Sequence, residues 1–265
     1  MVPTLNEEHN LPSVLGKIPD TVTELVIVDG GSNDDTVAVA RALRPDATIV
    51  RQTRRGKGNA LVCGFEACTG DIVVMIDADG STDPREINDF VQALVDGADF
   101  AKGSRFAGGG SSLDLTPSRR WGNNGLNGLV NLLFRTRYSD LCYGYNAIWR
   151  HRIPALRLPA TQAGKQAQWG DGFEIETMIN IRAAVLGLSI AEVPSVELAR
   201  IHGVSKLSAV RDGLRVLRTI MAEYAGRRAL TRAPAPIPHQ RQAEASAQPR
   251  QPQPGYRSVL AREES

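Results

Sequence analysis

Residues 71–84 read DIVVMIDADGSTDP: an apolar run that ends in Asp77 and Asp79 and turns at once on Gly80. Carboxylates at i and i+2 of an extended chain point to the same side. Bringing two negative charges together is costly unless a cation stands between them. The stretch therefore predicts a buried strand whose carboxyl end holds a cation. Mg²⁺ and Mn²⁺ suit carboxylate oxygens with open positions, and a diphosphate supplies the ligands that two carboxylates leave missing.

Upstream and downstream, short apolar strands alternate with helical patterns. Strands are expected at 24–29, 47–50, 71–76 and 98–102, and helices at 34–44, 57–68 and 84–96. The last helix has Asp83 to cap it, Pro84 in its first turn and Ile87, Phe90, Val91 and Leu94 at helical spacing. Strands without polar alternation, each followed by a helix, predict an α/β fold: a mostly parallel sheet with helices on both faces. Ligands of such sheets lie beyond the carboxyl ends of the strands. Asp29 in VDGGSNDDT, Lys57 in RRGKGNAL and the Asp77–Asp79 pair all fall there. Lys57, between two glycines at a helix start, is placed to attract phosphate.

The 265 residues suffice for one large α/β domain, and their hydrophobic (42%) and charged (23%) contents are those of a globular protein. No apolar run approaches the ~20 residues of a membrane span, and no signal peptide is visible. Cys63, Cys68 and Cys142 lack metal-site spacing and read as reduced thiols, so a cytoplasmic location is expected. The net charge of +2 is unevenly spread. Residues 200–230 carry seven Lys/Arg against two acids, and the body before them is acidic. An anionic substrate or surface is expected near that basic segment. An acidic body without interleaved aromatics gives no support to nucleic-acid binding. Residues 231–265 are rich in Pro, Gln and Arg and are expected to be a disordered tail.

VPTLNEEHNL, ELVIVDGGSNDDT, RRGKGNAL, IDADGSTDP and KGSRF stand in the order found in family 2 inverting glycosyltransferases, which this sequence resembles. SDLCYGYNAIWR, GDGFEIETMINIRAAVLGLSIAEVPS and RIHGVSKL resemble its polyprenyl-phosphate branch, typified by dolichyl-phosphate mannose synthase. The resemblance covers about residues 1–220 and implies a GT-A (Rossmann-like) fold in a single domain over 1–230. It implies transfer of a hexose from a nucleotide-diphosphate sugar, of GDP-mannose or UDP-glucose type, to a polyprenyl-phosphate lipid acceptor.

By position, the resemblance assigns Pro3, Leu5, Glu7, Asp29 and Lys57 to the nucleotide, and Asp77 and Ala78 to the ribose and diphosphate. Asp77 and Asp79 become the metal-binding DxD pair, with Asp79 the main ligand. Arg105 and Arg119 lie near donor and acceptor phosphates, and Arg200, Ser205 and Lys206 in an element that covers the cleft. Asp140 stands four residues before Gly144, as the acid of the family's D-x-x-S-G-F pattern does. Three positions depart from that pattern: Gly30 replaces a second aspartate, Ser81 a metal-ligating glutamine, and Tyr143 a serine. Only Met1 and Val2 precede Pro3, where the family has a full strand. Either the native start lies upstream, which is the expectation here, or the first strand is stunted.

Inversion is a single displacement. A hydroxyl acceptor needs a general base, for which Asp140 is the candidate. A lipid phosphate is already anionic at neutral pH and needs cations to hold it beside the donor. The basic excess near residue 200 favours the phosphate, with Asp140 then orienting an arginine or the sugar. The alternative is a family 2 enzyme acting on a sugar or small-molecule hydroxyl. MIDADGST also fits the D-x-D-G-[ST] signature of haloacid-dehalogenase-type phosphatases, although that motif belongs on a first strand. Binding of a nucleotide sugar without turnover is the remaining rival. In 206–230, Leu207, Val210, Leu214, Leu217, Met221 and Tyr224 fall on one helical face, and 117–134 repeats the pattern with Trp121, Leu126, Leu129, Val130 and Leu133. Weak peripheral contact with an anionic membrane surface is expected, against packing of both helices on the protein's own core.

Overall fold

In the computed structural model, which describes residues 1–113, 115–161, 166–203 and 209–231, the expected strands appear, shortened or shifted at their ends. β1 (Val2–Thr4), β2 (Val26–Asp29) and β3 (Thr48–Arg51) pair in parallel. β4 (Ile72–Met75), β5 (Phe100–Ser104), β7 (Asn146–Trp149) and β8 (Ile190–Pro194) form the order β4-β7-β5-β8. The N-terminal amine of Met1 donates to Val74 O (2.7 Å), and Ile76 N donates to Met1 O (3.2 Å), so β1 and β4 join the two groups. β6 (Ser111–Ser112) and β9 (Val196–Glu197) make a small parallel ladder beside them. The sequence reading does not anticipate β7, which runs antiparallel to both β4 and β5.

Alternation along the strands sends side chains to two cores. Ile27, Ala101 and Ala147 face α1 (Leu11–Leu15), α2 (Thr36–Leu43) and α4 (Ile87–Val95). Val26, Val28, Val73, Met75, Phe100 and Ile148 face α3 (Lys57–Ala67) and α6 (Glu174–Val185). The expected helix at 84–96 begins as a 3-10 turn, Pro84–Glu86, with the Asp83 carboxylate accepting from Arg85 N.

Two further helices, α5 (Pro117–Phe134) and α7 (Ala209–Thr231), close a third cluster around Val130, Tyr138, Leu141, Ile181 and Ile220. α7 packs through Thr219, Ile220, Glu223 and Leu230 and leaves Leu214, Leu217 and Met221 exposed. The stripe read from the sequence is therefore not the packed one. On α5, Trp121 departs from its expected neighbours and is 80% exposed. Residues Met1–Leu230 form one compact unit. Ser205, Lys206, the start of the expected 206–230 helix and the tail from 232 lie outside the described residues.

Candidate functional site

The carboxyl ends of β1, β2 and β4 open into a cleft of about 480 Å³ whose walls include Pro3, Leu5, Glu7, Lys57, Asp77, Ala78, Asp79, Arg105, Arg119 and Arg200. Asp29 is close but turned aside. Its carboxylate accepts from Gly31 N (3.1 Å) and Ser32 N (3.0 Å), so it caps its own turn while Gly30 lines the wall.

Lys57 lies between two acids. Its Nζ is 2.6 Å from Asp77 Oδ1 and 2.6 Å from Glu176 Oε1. Burial alone lowers the ammonium pKa, but Asp77 and Glu176 outweigh it and hold the group raised and charged. Burial raises the Asp77 pKa, the Lys57 charge opposes this, and Asp79 and Glu176 add to the rise. The glycines around Lys57 have a different reason from the one read in sequence. Gly58 N and Asn59 N both donate to Asp171 O (2.7 and 3.2 Å), so those first-turn N–H groups of α3 are not open to phosphate. Arg54 clamps the same turn through Asp171, with Nε–Oδ2 2.8 Å and Nη2–Oδ1 2.9 Å. A Cβ at Gly58 would stand 1.9 Å from Gly170 O. Gly58→Ala is expected to cost about 3 kcal/mol, read as a lower urea midpoint.

Asp79 Oδ2 pairs with Arg200 Nη2 at 2.7 Å, and Oδ1 accepts from Ser81 N (2.9 Å). The opposite wall is built on Arg105. Its guanidinium meets Asp140 twice, at 2.7 and 2.9 Å, and Glu197 Oε2 at 3.0 Å, and it lies over the Tyr143 ring at 5.0 Å. Asp140 is fully buried behind it and also takes Arg105 N (3.1 Å) and Asn123 Nδ2 (3.2 Å). Burial raises the Asp140 pKa, but the Arg105 bonds and charge prevail and keep it low. Asp140 is thus not at the cleft wall; its carboxylate holds Arg105, the contact required by the second of its two expected roles. Glu176 and Glu197, which the sequence reading did not single out, complete these two ion networks. The remaining wall carboxylates are engaged as well: Glu7 accepts from Asn10 Nδ2 (2.6 Å), and Asp212 lies 3.7 Å from Arg215 Nη1. Cys142 also lines the cleft, its thiol pKa pushed up to about 12 by burial, so it stays protonated.

Residues 1–154 match the profile of glycosyl transferase family 2. The chain belongs to that family. Among the family's relatives, polyprenol monophosphomannose synthase of Mycolicibacterium smegmatis is 31% identical over 243 residues, covering 88% of each chain. Undecaprenyl-phosphate mannosyltransferase of Micrococcus luteus is 32% identical over 217 residues, covering 78% of this chain and 86% of its own. The crystal structure of glucosyl-3-phosphoglycerate synthase from Mycobacterium tuberculosis, in complex with Mn²⁺, UDP and glucosyl-3-phosphoglycerate, superposes with a TM-score of 0.64. It is 26% identical and covers 84% of this chain and 78% of its own. The fold is GT-A and the protein is a glycosyltransferase. The phosphatase reading falls with this, since Asp77 and Asp79 follow β4 rather than a first strand.

Among the described residues, no three His, Cys, Asp or Glu side chains gather as a metal cluster. A divalent ion would be held by Asp77 and Asp79 alone, with substrate oxygens filling its other positions. Hard carboxylate oxygens fit Mg²⁺ or Mn²⁺ in this way.

Proposed function

We propose that this protein moves a hexose from a nucleotide-diphosphate sugar to a polyprenyl phosphate. The carrying observation is that each carboxylate lining the cleft is engaged by a cation or another donor, while Arg105, Arg119 and Arg200 stand at the same walls. A cleft so built suits an acceptor that arrives ionised rather than a hydroxyl that must be deprotonated. The names of the two mannosyl-transferring relatives support the lipid phosphate and make mannose the first sugar to test. Pro3, Leu5, Glu7, Lys57 and Ala78 would hold the nucleotide side. Arg105, Arg119 and Arg200 would hold the two phosphates close enough to react. A divalent ion on Asp77 and Asp79, consistent with the Mn²⁺ in the related structure, supplies neutralisation of the departing diphosphate.

The test is incubation of the protein with Mn²⁺, undecaprenyl phosphate, and either GDP-mannose or UDP-glucose. A mild-acid-labile glycolipid is expected. Release of free sugar without glycolipid, or transfer only to a hydroxyl acceptor, would overturn the reading.

We also propose that the acceptor is met at the membrane surface, on the cytoplasmic side that the free thiols of Cys63, Cys68 and Cys142 fit. Among the described residues no helix is long and apolar enough to cross a bilayer. The exposed Leu214, Leu217 and Met221 of α7, with Arg218 beside them, form a stripe suited to lie on anionic lipid. Leu217→Glu with Met221→Glu is expected to weaken flotation with phosphatidylglycerol vesicles roughly tenfold. Transfer to a short, water-soluble prenyl phosphate should be unchanged. Undiminished flotation would exclude this face.

A further inference from the structure

Residues 198–203 leave β9 and cross the aspartate turn as a strap. Leu198 N donates to Ser81 O (2.8 Å), and Ile201 N donates to Asp79 O (3.3 Å). Farther on, His202 N donates to Asn10 Oδ1 (3.0 Å), and Asn10 Nδ2 returns to His202 O (3.3 Å). Ile201 packs on Gly80, where φ is +78° and an added Cβ would stand 2.5 Å from Ile201 Cδ1. The turn therefore needs glycine twice over, for its backbone angle and for the strap above it. Tied on both sides, the strap sets Arg200 on the carboxylate that the proposed function assigns to the metal.

Both oxygens of Asp79 are taken: Oδ2 by the guanidinium and Oδ1 by Ser81 N. A divalent cation arriving at Oδ2 meets a positive charge already there, and the two compete for one carboxylate oxygen while repelling each other. One must leave. Lys57, the cation on the neighbouring Asp77, has Glu176 as a second anchor. Arg200 has no second carboxylate among the described residues, and its side chain is 25% exposed. Arg200 is the group free to move.

We infer that Arg200 serves two anions in turn. In the free enzyme it neutralises Asp79. When a divalent ion takes Asp79, the released guanidinium becomes a ligand for the acceptor's phosphate. Metal loading thereby creates part of the acceptor site, and the two ligands bind with positive coupling. By thermodynamic reciprocity the acceptor also tightens the metal. This rests on the proposed metal role of Asp79, and the test separates the two.

The probe is Mn²⁺ alone, titrated into the full chain and followed by the electron paramagnetic resonance of the free ion. Arg200→Gln is expected to bind Mn²⁺ about tenfold more tightly than the parent, because its competitor is gone. Arg200→Lys should stay near the parent, which separates loss of charge from damage to the strap. Asp79→Asn should bind at least tenfold more weakly. Calorimetry with a short-chain prenyl phosphate supplies the second readout. Mn²⁺ should raise its affinity about five- to tenfold in the parent and leave Arg200→Gln unaffected. If Asp79→Asn loses Mn²⁺ while Arg200→Gln binds it no more tightly than the parent, the inference is wrong and the metal reading stands. Parental Mn²⁺ affinity in Asp79→Asn overturns the metal reading itself.

Discussion

Asparagine at position 79 is expected to lower kcat/KM for sugar transfer about a thousandfold in Mn²⁺ buffer, with little change in stability. The substitution keeps the shape of the side chain, and its remaining oxygen can still accept from Ser81 N. What it removes is one negative charge. The Arg200 left behind sits at the edge of the cleft, where an unpaired cation is partly solvated, so the stability cost stays near or below about 1 kcal/mol. Transfer depends on that charge far more. The departing diphosphate gains negative charge as the sugar bond breaks, and stabilisation that grows in the transition state raises kcat rather than merely tightening binding. A metal-held leaving group supplies several kcal/mol of this kind, hence the roughly thousandfold estimate. Asp77→Asn should be milder in metal affinity, because Asp77 also anchors Lys57, but it should free Lys57 toward Glu176 alone. Steady-state kinetics with a thermal melt on the same sample checks both halves. Parental kcat/KM in Asp79→Asn would remove the chemical basis of the site.

How much of this was legible beforehand depends on the range over which each feature is encoded. β2 and β4 are written as continuous apolar runs, VIVD and IVVM, because both faces of those strands are covered by helices. Their acidic ends fall on the same edge of the sheet, with β1 between the two strands. β7 was invisible for the opposite reason. Its four residues, NAIW, follow two tyrosines and a glycine, and only pairing with Ile72–Met75 and Phe100–Lys102 makes them a strand. Asp77, Asp79 and Arg105 could be read because the short motifs that carry them, DADG and KGSRF, are each contiguous in sequence. Glu176 reaches Lys57 across more than a hundred residues and gives no local pattern beyond two acids in the first turn of α6. Gly56 and Gly58 were found for an incomplete reason: the turn at 170–172, which packs on them, leaves no mark near residue 57. On α7 the helical period was right, and the stripe expected to meet a membrane is exposed rather than packed on the core. The core is met instead by Ile220 and by Glu223, which pairs with Arg182 at 2.8 Å, a face that an acidic residue hides from a hydrophobic pattern.

Asp140→Asn separates a base from a positioning group, because the two roles predict different pH profiles. The Arg105–Asp140 pair is almost wholly enclosed, with side-chain exposures of 7% and 0%. Removing the carboxylate charge leaves the guanidinium buried with Glu197 as its remaining anion, and a loss of about 3 kcal/mol in unfolding free energy is expected. The folded-state pKa of Asp140 is depressed below its unfolded value of about 3.9, so its contribution is present above that value and fades as the pH falls through the folded pKa. The stability gap between parent and variant should therefore be flat from about pH 5 to pH 8 and close only below about pH 4. Activity should fall about a hundredfold, since Arg105 is no longer fixed against the reacting phosphates. The acid limb of kcat/KM should nevertheless persist in the variant near pH 6, where the acceptor phosphate loses its second proton. A side chain whose oxygens are already bonded to Arg105, and whose pKa lies below the carboxylate range, cannot supply that limb. Were the limb to vanish with Asp140, the proton would have to be leaving the acceptor for this residue, and the ionised-acceptor mechanism would be excluded.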